Sequence, residues 1–287
     1  MTQQTVTLDP RRHAYRPDLA DEALRDRIEA ERFVAGEPRE IIEPAIPLRG
    51  APDPHASWTT QALYGERVTL FEAFEGWAWV QLASDGYVGY LPEAGLGPCG
   101  LPPTHRVSAL ATSLYFAPNF KAPAVMSLPM NAALRIKGTT GAFGRLADGR
   151  FVPLQHIAEP ASPARDFVSI AETFAGVPYV WGGKTLQGVD CSGLLQVALQ
   201  AAGIACPRDS DMQEAELGVP VPRPNDPGGL VRGDLVFWKG HVGIMLDAHR
   251  LLHANAHHMA VAIEPLAAAA TRIADTGLQI AAIKRLA

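Results

Sequence analysis

Among the three cysteines of the 287-residue chain, Cys191 has the setting that a nucleophile needs. It follows Asp190 and opens a run whose positions 191, 194, 195, 198, 199 and 202 are apolar or thiol, one face of a 3.6-residue period, with Gly203 as the stop. The spacing predicts a helix N-capped by Asp190. At such a start the unpaired N–H groups and the macrodipole favour the thiolate, which brings a cysteine from a pKa of about 8.5 toward roughly 3.5–7.5. A thiol nucleophile also needs a base, and the base needs a third group to orient it. His241 opens a predicted strand directly after Gly240, and His253 lies near the end of the next, with Asp247-Ala248-His249-Arg250 as the turn between. Adjacent strands can bring two such side chains together. Taken singly, each residue is as readily a buried helix thiol or a structural histidine; as a set they point to covalent hydrolytic chemistry.

The elements that must position them read as helices followed by strands. Asp166 to Ala175 carries Phe167, Ile170, Ala171 and Phe174 on one helical face, and Gly176 ends it. The Cys191 helix follows, and then a short helix entered at Asp209-Ser210-Asp211, where Gln213 or Glu214 three residues on has the form of a capping box. Strands are expected over 234–238, 241–247, 250–254, 261–264 and 278–285. Helices first and an antiparallel sheet afterwards is the α+β class.

The remainder is built differently. Residues 1–36 form an N-terminal arm, in which 18–34 reads as a charged helix with a narrow stripe of Leu24, Ile28 and Phe33. Residues 37–100 switch to short alternating segments with turns at Gly50-Ala51-Pro52, Gly65, Glu75-Gly76 and Asp85-Gly86, the pattern of a small antiparallel barrel. Residues 101–160 repeat the theme after the linker Gly97-Pro98-Cys99-Gly100-Leu101-Pro102-Pro103. A boundary at Glu159-Pro160-Ala161-Ser162-Pro163 leaves 161–287 as the last domain.

Composition excludes several classes. A net charge of −5 and the absence of basic runs argue against a nucleic-acid partner or a polybasic membrane patch. No apolar run reaches spanning length, since Glu264 and Pro265 break even the stretch from 260 to 270. Met1 to Val6 lacks the basic start and apolar stretch of a secretory signal, so the expected location is cytoplasmic. Cys99, Cys191 and Cys206 form neither a disulfide framework nor a paired zinc spacing, and no metal or cofactor is expected.

Two resemblances sharpen this reading. Leu63-Tyr64-Gly65-Glu66-Arg67-Val68, Gly76-Trp77 and Asp85-Gly86-Tyr87-Val88-Gly89-Tyr90-Leu91 resemble a bacterial SH3-like cell-wall targeting domain. Pro178-Tyr179-Val180-Trp181-Gly182-Gly183, Asp190-Cys191-Ser192-Gly193, Pro207-Arg208-Asp209-Ser210-Asp211-Met212-Gln213, Gly233-Asp234-Leu235-Val236-Phe237-Trp238, Gly240-His241-Val242-Gly243-Ile244 and His253-Ala254 resemble, in order and spacing, the NlpC-type cell-wall peptidases, whose fold is a reduced papain. The resemblance implies a papain-like catalytic domain behind two SH3-like barrels. It implies Cys191 as nucleophile, His241 as general base and later acid, and His253 as the residue that orients it. Tyr179 would stand close to the oxyanion, and Trp181 would form a groove wall or serve as a core aromatic.

In relatives that join SH3-like domains to this catalytic domain, an Asp-Ser pair matching Asp209 and Ser210 holds the free amino group of an N-terminal L-alanine. The first SH3-like domain closes one end of the groove. By that likeness Glu66 would be a second ammonium partner and Tyr87 a pocket wall, against the plainer roles of a strand-end charge and a barrel aromatic. The implied activity is a γ-D-glutamyl-L-diamino acid endopeptidase, cutting the γ-D-glutamyl–meso-diaminopimelate (or L-lysine) bond of murein peptides in cell-wall recycling. The alternatives are an amidase or acyltransferase on the same Cys-His-His set, and a non-catalytic peptidoglycan-binding scaffold.

Overall fold

The computed structural model describes residues 8–160, 162, 166–221 and 229–286. Met1 to Val6, together with Ala161 and Pro163 of the expected boundary, lie outside them. Around the first Pro/Gly-punctuated segments the chain makes a seven-stranded antiparallel sheet. In spatial order its strands are Trp58–Leu63, Ala45–Arg49, Val88–Pro92, Trp77–Leu82, Arg67–Phe74, Glu37–Ile41 and Leu96–Pro98. Alternation puts Leu48, Val80, Leu82 and Leu91 inside, each no more than 1% exposed. A second core gathers Val107, Leu114, Leu128 and Leu134 between a three-stranded and a five-stranded antiparallel sheet spanning 105–158.

The N-terminal arm departs from expectation. In place of a helix over 18–34, it has one 3-10 turn at Glu22–Leu24 and a two-residue parallel pairing of Ala20–Asp21 with Phe33–Val34. Tertiary anchoring overrides local propensity here. Leu19 is fully buried beside Ala14, Phe71 and Trp79, while Arg16 and Arg32 both reach Glu72, at 2.5 and 2.6 Å. A straight helix cannot satisfy those anchors together.

The C-terminal region puts its helices before its sheet. Phe167–Glu172 is N-capped by Asp166, whose carboxylate accepts from the N–H groups of Val168 and Ser169. The helix Cys191–Ala201 is capped by Asp190 and ends before Gly203, which takes the left-handed φ of +80°. The sheet runs Val219–Pro220, Ile280–Arg285, Leu235–Trp238, His241–Met245, Arg250–Asn255, Ala260–Pro265, all antiparallel. A further helix, Leu266–Ala274, leaves the last of these hairpins. No helix among the described residues is long and apolar enough to cross a membrane.

The Cys191 helix was expected to bury one face; it is covered on nearly all sides, with every residue from 191 to 199 buried. One face meets the sheet, through Leu195, Leu199, Val242 and Leu252. The other is held by the N-terminal modules. Asp85 accepts from Gln196 Nε2 at 2.8 Å, Asn131 Nδ2 donates to the Val197 carbonyl at 3.0 Å, and Arg106 donates to that of Ala201 at 2.7 Å.

The N-terminal modules also touch each other closely. Gly65 has φ +74°, and a Cβ there would stand 2.1 Å from the Ala133 carbonyl oxygen; Gly149 has φ +90° with open space around it. Gly149→Ala therefore adds backbone strain alone, about 1 kcal/mol, while Gly65→Ala adds strain and overpacking, roughly 2–4 kcal/mol. Urea unfolding of the two variants should show that gap; equal losses would contradict the close packing of the two modules.

Candidate active site

Asp190 organises the Cys191 end of the site. Its Oδ1 accepts from the Gly193 N–H at 2.7 Å and from Ser192 Oγ at 3.3 Å; its Oδ2 accepts from the Gly182 N–H at 2.8 Å and from Arg208 Nη2 at 2.6 Å. Arg208 is 1% exposed and spends its other donors on Ser192 Oγ and, across the module boundary, on Thr60 Oγ1. A buried arginine needs this degree of satisfaction. Cys191 follows as the first helical residue, 7% exposed, at the mouth of a cavity of about 260 Å³ lined also by Thr59, Tyr87, Trp181, Asp209 and Ser210. A larger cavity, of about 750 Å³, lies between Asp9, His13, Ser84, Cys206 and Glu216 and does not include Cys191.

The thiol is not acidified as the helix start alone predicts. Burial pushes Cys191 up to about 11, reinforced by the Asp190 charge and only partly opposed by the backbone N–H groups of Val242 and Ser192 and by Arg208. The dipole of an eleven-residue helix is the smaller effect once the sulfur has lost water and a carboxylate sits beside it.

The base side lies on the sheet. His241 Nε2 is 2.8 Å from His253 Nδ1, and His253 Nε2 is 2.8 Å from Glu264 Oε1. Glu264 is in turn held by Arg272 of the final helix, Nη1 to Oε2 at 2.8 Å. Burial drives His241 down to about 3 and lowers His253 as well, so both rings are neutral. With Nε2 of His241 committed to His253, Nδ1 is the ring nitrogen left for a thiol proton. Among the described contacts no hydrogen bond joins His241 to Cys191. A neutral thiol and a neutral imidazole thus make up the resting pair.

The other expected residues divide. Tyr179 is half-buried against the Cys191 core, near enough to the sulfur for its charge to raise the phenol further above its ordinary value after burial has done most of the work. Trp181 lines the cavity and is 63% exposed, so it is not a core aromatic. The capping box expected on Ser210 or Asp211 with Gln213 or Glu214 is not formed: both lie inside the helix Ser210–Glu216, and Asp209, which occupies the N-cap position, makes no side-chain cap bond. Its Oδ2 accepts instead from Tyr87 Oη at 3.0 Å and from Arg11 Nη1 at 2.8 Å. Burial raises Asp209 against the pull of Arg208, Tyr87 and Arg11.

Glu66 is not part of this cavity. Its carboxylate accepts instead from the Leu63 N–H and Ser84 Oγ, half-buried in a separate cavity that Lys184 also lines. Sequence reasoning missed Arg11, Arg208, Glu264 and Arg272. Only Arg208, which stands inside the Pro207 to Gln213 motif, carried a local signal.

Comparison with known proteins fits this geometry. Residues 176–274 match the NlpC/P60 family, and residues 48–96 match the bacterial dipeptidyl-peptidase SH3 domain. Residues 176–274 are thus an NlpC/P60 domain, and the chain is a cysteine peptidase. The chain is 28% identical over 239 residues to a gamma-D-glutamyl-L-lysine dipeptidyl-peptidase of Bacillus cereus, covering 72% of this chain and 70% of the relative. It is 26% identical to dipeptidyl-peptidase 6 of Lysinibacillus sphaericus over 75% of this chain and 86% of that one. The crystal structure of an NlpC/P60 family protein from Bacillus cereus superposes with a TM-score of 0.73 at 23% identity, over 87% of this chain and 99% of that one, and so shares its fold. In this NlpC/P60 domain, the two neutral histidines set a pH dependence of stability. The unfolded chain protonates His241 as pH falls below about 6.5 while burial in the native state holds it near 3, so stability is lost as pH falls through that window, and the lowering of His253 acts in the same direction. Glu264, held near 2 by Arg272, adds stability that is lost only below the ordinary carboxylate value of 4.5. Urea unfolding should therefore show a drop in stability between pH 7 and pH 5 that His241→Phe flattens; an unchanged slope in the variant would contradict the buried neutral ring.

Proposed function

We propose that the chain cleaves the bond after a γ-linked D-glutamyl residue in short murein peptides whose N-terminal L-alanine is free, before meso-diaminopimelate or L-lysine. The observation that carries the reading is the Asp209–Ser210 pair in the lining of the Cys191 cavity. Asp209 there uses Oδ2 for Tyr87 and Arg11 and has no described partner on Oδ1, with Ser210 beside it. A carboxylate oxygen plus a hydroxyl in the lining of a cavity suits an ammonium group. A cavity of about 260 Å³ has space for a dipeptide and little more. The names of the relatives from Bacillus cereus and Lysinibacillus sphaericus agree with release of a dipeptide. Such a pocket suits peptides already freed from the wall, which supports a role in recycling.

The chemistry follows from the resting pair. As the γ-carbonyl carbon approaches Sγ, the thiol proton moves to His241 Nδ1 and the C–S bond forms. The Cys191 N–H, the first amide of its helix and without an intrahelical acceptor, faces the developing oxyanion, with Tyr179 alongside. The C–N bond then breaks, the amine leaves with the proton from His241, and water activated by the same imidazole hydrolyses the thioester. Because burial keeps the thiol neutral, attack and proton transfer are coupled. We also take residues 105–158 to be a second SH3-like barrel: Pro153, the 3-10 turn Leu154–His156 and the closing strand Ile157–Ala158 repeat Pro92, Glu93–Gly95 and Leu96–Pro98 of the first.

The test uses L-Ala-γ-D-Glu-L-Lys and its N-acetyl form. Acetylation removes the charge and should lower kcat/KM by about 100-fold, as expected for losing a charge-assisted pair of roughly 2–3 kcal/mol. Asp209→Asn should lose most of that discrimination through KM, and Cys191→Ala should abolish cleavage of both peptides. Equal kcat/KM for free and acetylated substrate would overturn the ammonium pocket.

A further inference from the structure

The row His241, His253, Glu264 crosses three adjacent strands on one face. Ile244 is opposite Leu252 and His253 is opposite Ala262, so each member stands one diagonal step from the next. It ends on Arg272, whose two terminal nitrogens grip both oxygens of Glu264, Nη1 on Oε2 and Nη2 on Oε1. Hydrogen-bond inventory then leaves one solution. An ionised carboxylate only accepts, so His253 must carry its proton on Nε2. A neutral imidazole has a single N–H, so His253 Nδ1 is a bare acceptor. His241 must then donate Nε2–H to it, which leaves His241 Nδ1 without a proton. That is the tautomer able to take a proton from a thiol.

We propose that Glu264, clamped by Arg272, is a positioning residue that sets the tautomers of His253 and His241 in succession and so makes His241 a base toward Cys191. The other groups facing the row leave this order intact. His258 lies 4.0 Å from Glu264 Oε1 but directs Nδ1 at Asn255 Oδ1 at 2.9 Å. Trp238 covers the outer side of His241, ring centroids 5.6 Å apart. Asp190 stands on the Cys191 side and is already saturated by Arg208 and backbone donors. The Glu264 carboxylate is held ionised by Arg272, as its depressed value near 2 requires. The proposal rests on the reading of Cys191 and His241 given above.

Histidine ¹⁵N NMR of the full chain at pH 7, with Glu264→Gln as comparison, tests it. In the unsubstituted chain His241 and His253 should both be protonated at Nε2. In the variant the amide oxygen turns to Arg272 and the amide nitrogen donates to His253, which should shift both protons to Nδ1. In step with that switch kcat should fall by about 100-fold or more, with KM held within about two-fold. Protonation of His241 at Nδ1 in the unsubstituted chain would overturn the proposal whether or not the variant folds. So would a folded variant with unswitched tautomers or with kcat near that of the parent. The underlying reading fails by a different observation: iodoacetamide modification of Cys191 would leave cleavage intact.

Discussion

One buried carboxylate fixes most of the geometry described above. Asp190 binds the loop before it through Gly182, the helix after it through Gly193, and Arg208 through its second oxygen. Arg208 extends the same network to Thr60 of the SH3 domain. Cys191, the loop bearing Trp181 and the strand bearing Thr60 are therefore referenced to a single residue. Breaking such a pair from one side costs about 3–5 kcal/mol because the partner is left charged and dry. The close approach of backbones around it follows: Gly182 has φ +78°, and a Cβ there would stand 2.6 Å from Trp58 Cβ.

That arrangement explains why the Cys191 helix is buried on nearly all sides. A helix that carries a nucleophile into a groove must be immobile on the scale of a reacting distance, and here the sheet holds one face while Asp85, Asn131 and Arg106 hold the other. The same burial strips water from the thiol and from His241, raising one and depressing the other. The enzyme consequently rests as a neutral pair, and the charges arise only as the substrate carbonyl arrives.

Much of this was legible in the amino-acid sequence. The Asp190 cap, the helix from Cys191 to Gly203, the strands bearing His241 and His253, and the SH3 domain all declared themselves through periodicity, capping chemistry or motif. Other features were not, and each for a physical reason. The arm over 18–34 has helical composition, but Leu19, Arg16 and Arg32 are tied to the barrel, a tertiary constraint with no local trace. Glu66 matched a motif, yet it lines a different cavity, where its carboxylate accepts from the Leu63 N–H. The helix Leu266–Ala274 reads as an alanine-rich run whose role depends on where Arg272 lands, and Arg11 reaches Asp209 across 198 residues of sequence. Motifs reveal residues that touch the substrate more readily than residues that hold them.

The central claim is that Cys191 attacks the γ-carbonyl and carries the acyl group. Rapid acid quench during turnover of L-Ala-γ-D-Glu-L-Lys, followed by intact-mass measurement and peptide mapping, tests it directly. The account predicts an L-alanyl-γ-D-glutamyl thioester on Cys191 that forms and decays at rates compatible with turnover. Release of the dipeptide with no acylated enzyme under conditions where a thioester survives the quench, or with the adduct on Cys206, would contradict it.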